Sequence, residues 1–227
     1  MSKNWSSYLL SSSYIELTLT YKLSYRDLRY MIAERGVDPA NTTILRLVLR
    51  YVPEFEKKWN RLARLVGRSW RVDETYIRVR EEWKYLYRVV DQPVNTVDFL
   101  LSEHRDIDAA KRFFTRAIKK HGAPERITLD RYVATHTAVD ELKESSVLPM
   151  NVCVRTSKYL NNLIEQDHRR VKQRVYSMFG CKRFRKAAVT ISEVALAHKL
   201  KEGQFDTSMV EQTGVRAPQV WEAVLAA

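Results

Sequence analysis

The stretch SWRVDETYIRVREEWKYLYRVVD, residues 69–91, decides the fold. Val72, Tyr76, Ile77 and Val79 are β-branched or aromatic side chains that suit a pleated surface, so SWRVDETYIRV predicts a strand. REE can turn the chain, and WKYLYRVVD predicts the returning strand. Asp73 interrupts the first strand, where a carboxylate is disfavoured.

Working toward the C-terminus, NTVDFLLS predicts a third strand. DIDAAKRFFTRAIKKHG predicts a helix, with Ala110, Phe113, Phe114 and Ile118 at helical spacing and Gly122 as terminator. ERITLD reads as a short strand, VATHTAVDELKE as a helix and MNVCVR as a fifth strand. Residues 161–179 and 183–201 read as two helices broken at Gly180. Three antiparallel strands followed by alternating helix and strand describe an α/β fold, a mixed sheet flanked by helices. The order matches the ribonuclease-H-like arrangement, which does not by itself establish a function.

On the N-terminal side, SYRDLRYMIAERG offers Ser24 as a helix cap with Asp27 three residues on, Leu28, Met31 and Ile32 on one face, and Gly36 as the stop. After the turn VDPAN, TTILRLVLRYV predicts a second helix with an apolar stripe of Ile44, Leu47, Val48 and Tyr51. Thr43, Arg46 and Arg50 share another face, and Pro53 with the basic segment after it leads out of the unit. The pair looks like a helix-turn-helix with Thr43, Arg46 and Arg50 toward DNA, although any small helical hairpin with a solvated basic face has the same pattern. The expected domains are residues 1–66 as this helical unit, 67–205 as the ribonuclease-H-like core and 206–227 as a tail.

The totals set the class. The chain has 227 residues, 45% hydrophobic and 29% charged, which suits a soluble globular protein, expected in the cytoplasm. The formal net charge of +12 points to a polyanionic partner, nucleic acid ahead of membrane. No apolar run approaches a membrane span, and the start is too polar for a signal peptide. Cys153 and Cys181 form no CxxC pair, which argues against a zinc ribbon and leaves no disulfide framework.

Asp130 ends ITLD, and ligand sites in α/β sheets gather at strand ends. Glu165 follows after 34 intervening residues, in YLNNLIEQDHRRVKQR. His168, Arg169 and Lys172 follow it at i+3, i+4 and i+7 and share its face, and Lys158 stands just before. Across residues 155–187, ten lysines and arginines oppose two acids. Lys158, His168, Arg169 and Lys172 are therefore candidate phosphate contacts. Singly, each acid reads equally well as a cap or a surface charge.

Together, VDETYIRV, WKYLYRVVD, ITLD and YLNNLIEQDHRRVKQR resemble the DDE transposases of bacterial insertion sequences, in particular the insertion-sequence-six family, from about Ser24 to Phe205. The resemblance implies a ribonuclease-H-like catalytic core behind a helix-turn-helix, with Asp73, Asp130 and Glu165 as metal-binding carboxylates. It implies two Mg²⁺ (or Mn²⁺) ions, nicking of the element's 3′ ends, and attack of the freed 3′-hydroxyl on target DNA. The implied partners are double-stranded DNA, as terminal inverted repeats and target, and further copies of the chain on that DNA. Departures before Ser24, at Leu47, in RYVATHT and in VYSMFGCK leave one alternative, a decayed copy that binds DNA without catalysis.

Overall fold

The computed structural model describes residues 24–34, 36, 38–157, 172 and 183–206. They fall into two compact units, one built on residues up to 64 together with 183–206, the other beginning at Leu65. The helix expected over residues 161–179 lies outside the described residues, apart from Lys172, which is helical and exposed.

In the first unit, α1 (Tyr25–Ala33) starts with the expected capping box. Ser24 Oγ accepts from the Asp27 N–H, and the Asp27 side chain accepts from the Ser24 N–H at 3.0 Å. Gly36 follows at φ +81°, a left-handed conformation that glycine adopts without steric cost. α2 spans Asn41–Trp59, longer than the sequence predicts. Pro53 lies inside this helix rather than after it. Its missing N–H removes one helical hydrogen bond, yet Val52, Phe55 and Trp59 on either side of it are buried, and that packing carries the helix through. α5 (Phe184–Lys201) supplies Leu196 and Ala197 to the same core, and Trp59 meets Phe205 with ring centroids 4.9 Å apart.

The second unit is a five-stranded sheet of order β3-β2-β1-β4-β5, from β1 (Ser69–Val79), β2 (Glu82–Val90), β3 (Thr96–Ser102), β4 (Arg126–Leu129) and β5 (Cys153–Thr156). β1, β2 and β3 are antiparallel neighbours, whereas β4 runs parallel to β1, and β5 parallel to β4. This mixed order is the ribonuclease-H-like arrangement expected from the sequence. The tight β1–β2 turn places Arg80 and Glu81 at positive φ. The fifth strand starts three residues later than expected, because a turn occupies its first part and the Val152 N–H donates to the Pro149 carbonyl at 3.2 Å.

Period-two alternation puts Trp70 and Val72 of β1 with Tyr87 and Val89 of β2 on one face. α3 (Ile107–His121) and α4 (Val133–Glu144) cover that face with Phe113, Phe114, Ala138, Val139 and Leu142. Asp106 caps α3 by accepting the Ala109 N–H at 2.7 Å. Gly67 sits against Asp91, whose Oδ2 accepts its N–H at 2.9 Å. A Cβ there would stand 3.3 Å from the Asp91 side chain, which would have to give by a few tenths of an ångström to admit it. Among the described residues, no helix is long and apolar enough to cross a membrane.

Candidate active site

Asp73 lies mid-way along β1, and Asp130 immediately follows β4. The last parallel pair is Arg71 with Thr128. Asp73 and Asp130 each lie two residues beyond that pair, so the same register continued would bring them level, Asp130 standing just past the end of β4. Both are partly exposed. Across β2, Asp73 is directly opposite Arg88, which is buried and donates from Nη2 to Thr96 Oγ1 at 2.7 Å. Directly opposed side chains share a face, so Arg88 and Asp73 stand on the same side of the sheet.

The turn after Asp130 is tightly held. Asp130 Oδ1 accepts the Tyr132 N–H at 3.0 Å, and the Asp130 carbonyl accepts from His136 Nε2 at 2.7 Å. α4 begins three residues beyond Asp130, without a side-chain cap of its own. The aspartate turn thus organises the start of the helix.

Glu74, next to Asp73, points to the opposite face, and its side chain keeps 4% exposure. Its Oε2 accepts from Arg105 Nε at 2.6 Å and its Oε1 from Thr135 Oγ1 at 2.8 Å. Arg105 stacks on the Tyr132 ring at 3.6 Å, donates from Nη1 to the Tyr76 hydroxyl at 3.0 Å, and offers its carbonyl to the Tyr132 hydroxyl at 2.9 Å. Burial pushes the Glu74 carboxyl above its ordinary value, against the lowering pull of the Arg105 and Thr135 hydrogen bonds. Burial pulls Arg105 down, but the Glu74 contact outweighs it and holds the guanidinium above its usual value.

Glu74, Arg105, Tyr132, Thr135 and His136 were not singled out by the sequence reading. One signal was available. Two consecutive acids in a strand must face opposite sides, and period two puts Glu74 on the face of Val72 and Trp70. A carboxylate there needs a partner.

Of the other expected site residues, Thr43, Arg46 and Arg50 are exposed on α2, with Arg50 Cζ 5.4 Å from the Tyr51 ring centroid. Lys158, Glu165, His168 and Arg169 lie outside the described residues. Among the described residues, no three His, Cys, Asp or Glu side chains form a group able to hold a metal.

A family model described as a DDE domain matches residues 67–204. The transposase for insertion sequence-like element IS431mec of Staphylococcus aureus (strain Mu50) is 40% identical over 156 residues, 69% of this chain and 69% of that protein. The transposase for insertion sequence element IS257 in transposon Tn4003, also of Staphylococcus aureus, shows the same identity and coverage. Among solved structures, the HTLV-2 integrase catalytic core domain in complex with magnesium is similar at TM-score 0.44 and 16% identity, covering 56% of this chain and 85% of that one.

Proposed function

The chain belongs to the DDE transposases of the bacterial insertion-sequence-six family, enzymes of the polynucleotidyl transferase type, and from that premise we propose that it cleaves DNA at the ends of its element and joins the freed ends to target DNA. Asp73, Asp130 and Glu165 hold the divalent metal in this reading. The parallel pairing of β1 with β4, which ends at Arg71 with Thr128 two residues before Asp73 and Asp130, is the observation that carries it.

The donors suit the ion. Both positions offer hard carboxylate oxygens, which match Mg²⁺ or Mn²⁺. The described cysteine, Cys153, begins β5 opposite Arg126, at the other end of β4 from Asp130. Two such ions, when bound, would acidify the attacking water or 3′-hydroxyl and neutralise charge on the leaving oxygen.

The chain's own residues bind and orient. Arg88, paired opposite Asp73 on β2, adds positive charge to the same sheet face. The hydrogen bonds from Tyr132 and His136 fix the turn that carries Asp130. Lys158, His168, Arg169 and Lys172 hold the DNA backbone beside Glu165, a sequence-independent contact that weakens as salt rises. Thr43, Arg46 and Arg50 face the terminal repeats, within an N-terminal recognition unit (residues 1–66) that precedes the core (67–205) and a tail (206–227). Acting on two ends at once calls for more than one copy of the chain on the DNA.

The test is strand transfer with a DNA fragment carrying the element's ends, comparing the wild type with Asp73→Asn, Asp130→Asn and Glu165→Gln. Each variant is expected to lose about three orders of magnitude or more in rate while binding the ends normally, because the three carboxylates act as one unit. Strand transfer surviving in any of the three removes that residue from the metal site. A wild-type chain that binds ends but transfers none would instead identify a DNA-binding remnant.

A further inference from the structure

We infer that Glu74 and Arg105 are positioning residues that fix the spacing of Asp73 and Asp130, an inference that rests on those two aspartates holding the metal. The circuit is closed by contacts already described. Glu74 follows Asp73 on β1. One Glu74 oxygen holds Thr135 in the first turn of α4, and the other holds Arg105, from the loop between β3 and α3. Arg105 in turn holds Tyr132 twice, by its guanidinium on the ring and by its carbonyl on the hydroxyl. Tyr132 gives its N–H to the Asp130 carboxylate. Any shift of the Asp130 turn relative to β1 must therefore break a hydrogen bond or a stack.

Stability alone is a poor reason for such a circuit. A buried ion pair is often matched or bettered by apolar packing of the same volume, because desolvating two charges offsets their attraction. Directional contacts do supply geometry. Arg105 is held on three sides, by Glu74, the Tyr76 hydroxyl and the Tyr132 ring. Metal ligands must be held to within about 0.5 Å of the productive arrangement, by neighbours that are themselves locked. β1 carries one ligand and the β4–α4 turn the other. Between them the backbone pairing ends at Arg71 with Thr128, before either aspartate is reached. The Glu74 circuit takes over the alignment where that pairing stops.

Glu74→Gln in the full-length chain tests this, because it keeps the size of the side chain and removes its charge. Strand transfer is titrated with Mg²⁺, end binding is measured by mobility shift without metal, and the Mn²⁺-induced rise in melting midpoint is measured without DNA. The Mg²⁺ needed for half-maximal transfer, and the Mn²⁺ needed for half the thermal shift, should each rise about tenfold while end binding stays within about twofold. An unchanged metal requirement, with activity wild-type or falling only with the folded fraction, overturns the inference. If Glu74→Gln does not fold, Thr135→Val, which removes one of the two hydrogen bonds to Glu74, is held to the same criteria. Asp73→Asn and Asp130→Asn run alongside. Their remaining active would defeat the metal-site reading, whereas a silent Glu74→Gln beside inactive aspartate variants defeats the positioning role alone.

Discussion

Two arginine–carboxylate pairs, one in each unit, share their chemistry and differ in surroundings. In the helical unit, Arg29 meets Asp38 through two hydrogen bonds, 2.8 and 3.0 Å, with side chains 41% and 61% exposed. In the sheet unit, Arg105 meets Glu74 at 2.6 Å, with side chains 26% and 4% exposed. The first pair spans nine residues and ties the middle of α1 to the turn before α2. The second spans 31 and links β1, which carries Asp73, to the β3–α3 loop, whose Arg105 stacks on Tyr132 next to the Asp130 turn. Good geometry is common to both, so geometry does not separate a surface ornament from a functional constraint. Burial and the identity of the joined segments do.

Breaking the buried pair should have the larger effect on stability. Arg105→Ala leaves the Glu74 carboxylate enclosed without its cation, at a cost of roughly 3 kcal/mol, toward the low end for a buried pair because Arg105 retains some solvent contact. Chemical denaturation of the full chain measures it. A loss no greater than that of an exposed pair would mean that water reaches Glu74 and would erase the contrast.

An intermediate effect belongs to the Ser24 cap, which sharpens the contrast within the helical unit. Ser24→Ala should cost about 1 kcal/mol, as removal of a helix cap does. The cost should depend on pH. Hydrogen bonds from Ser24, side chain first and backbone second, hold the Asp27 carboxyl below its ordinary value of 3.8. A carboxyl whose folded pKa is depressed contributes stability above its unfolded pKa and loses that contribution as pH falls through the folded value. The gap between wild type and Ser24→Ala is thus full above pH 3.8 and narrows below it. A constant gap across that window would assign the cap's value to the Asp27 N–H bond alone.

The sequence made the strands and helices legible because their signals are local. SWRVDETYIRV is the strand Ser69–Val79, and VATHTAVDELKE is the helix Val133–Glu144. Pro53 misled because proline's effect on a helix is local, whereas the burial of Phe55 and Trp59 that overrides it is tertiary. Asp73 and Asp130 could be picked out from strand position and family likeness. The circuit behind them could not. Glu74 finds its partners 31 and 61 residues away, and no periodicity reports such pairings. The sequence could show only that a carboxylate on a core-facing position needs some partner.

The smallest expected effect is the most demanding test of the contrast. Asp38→Ala removes the carboxylate from Arg29, yet both groups stay in water, where the released guanidinium is solvated at once. The melting midpoint of the full chain should not change measurably at moderate salt, and what little change appears at low salt should vanish as ions screen the pair. The Arg29 contact holds Asp38 below the ordinary carboxylate value, with no burial behind it. A salt-insensitive loss from Asp38→Ala would show that the pair orders the turn between α1 and α2. If Asp38→Ala also weakened binding to end DNA, the exposed pair would be a positioning contact like the buried one, and burial would no longer be the feature that tells them apart.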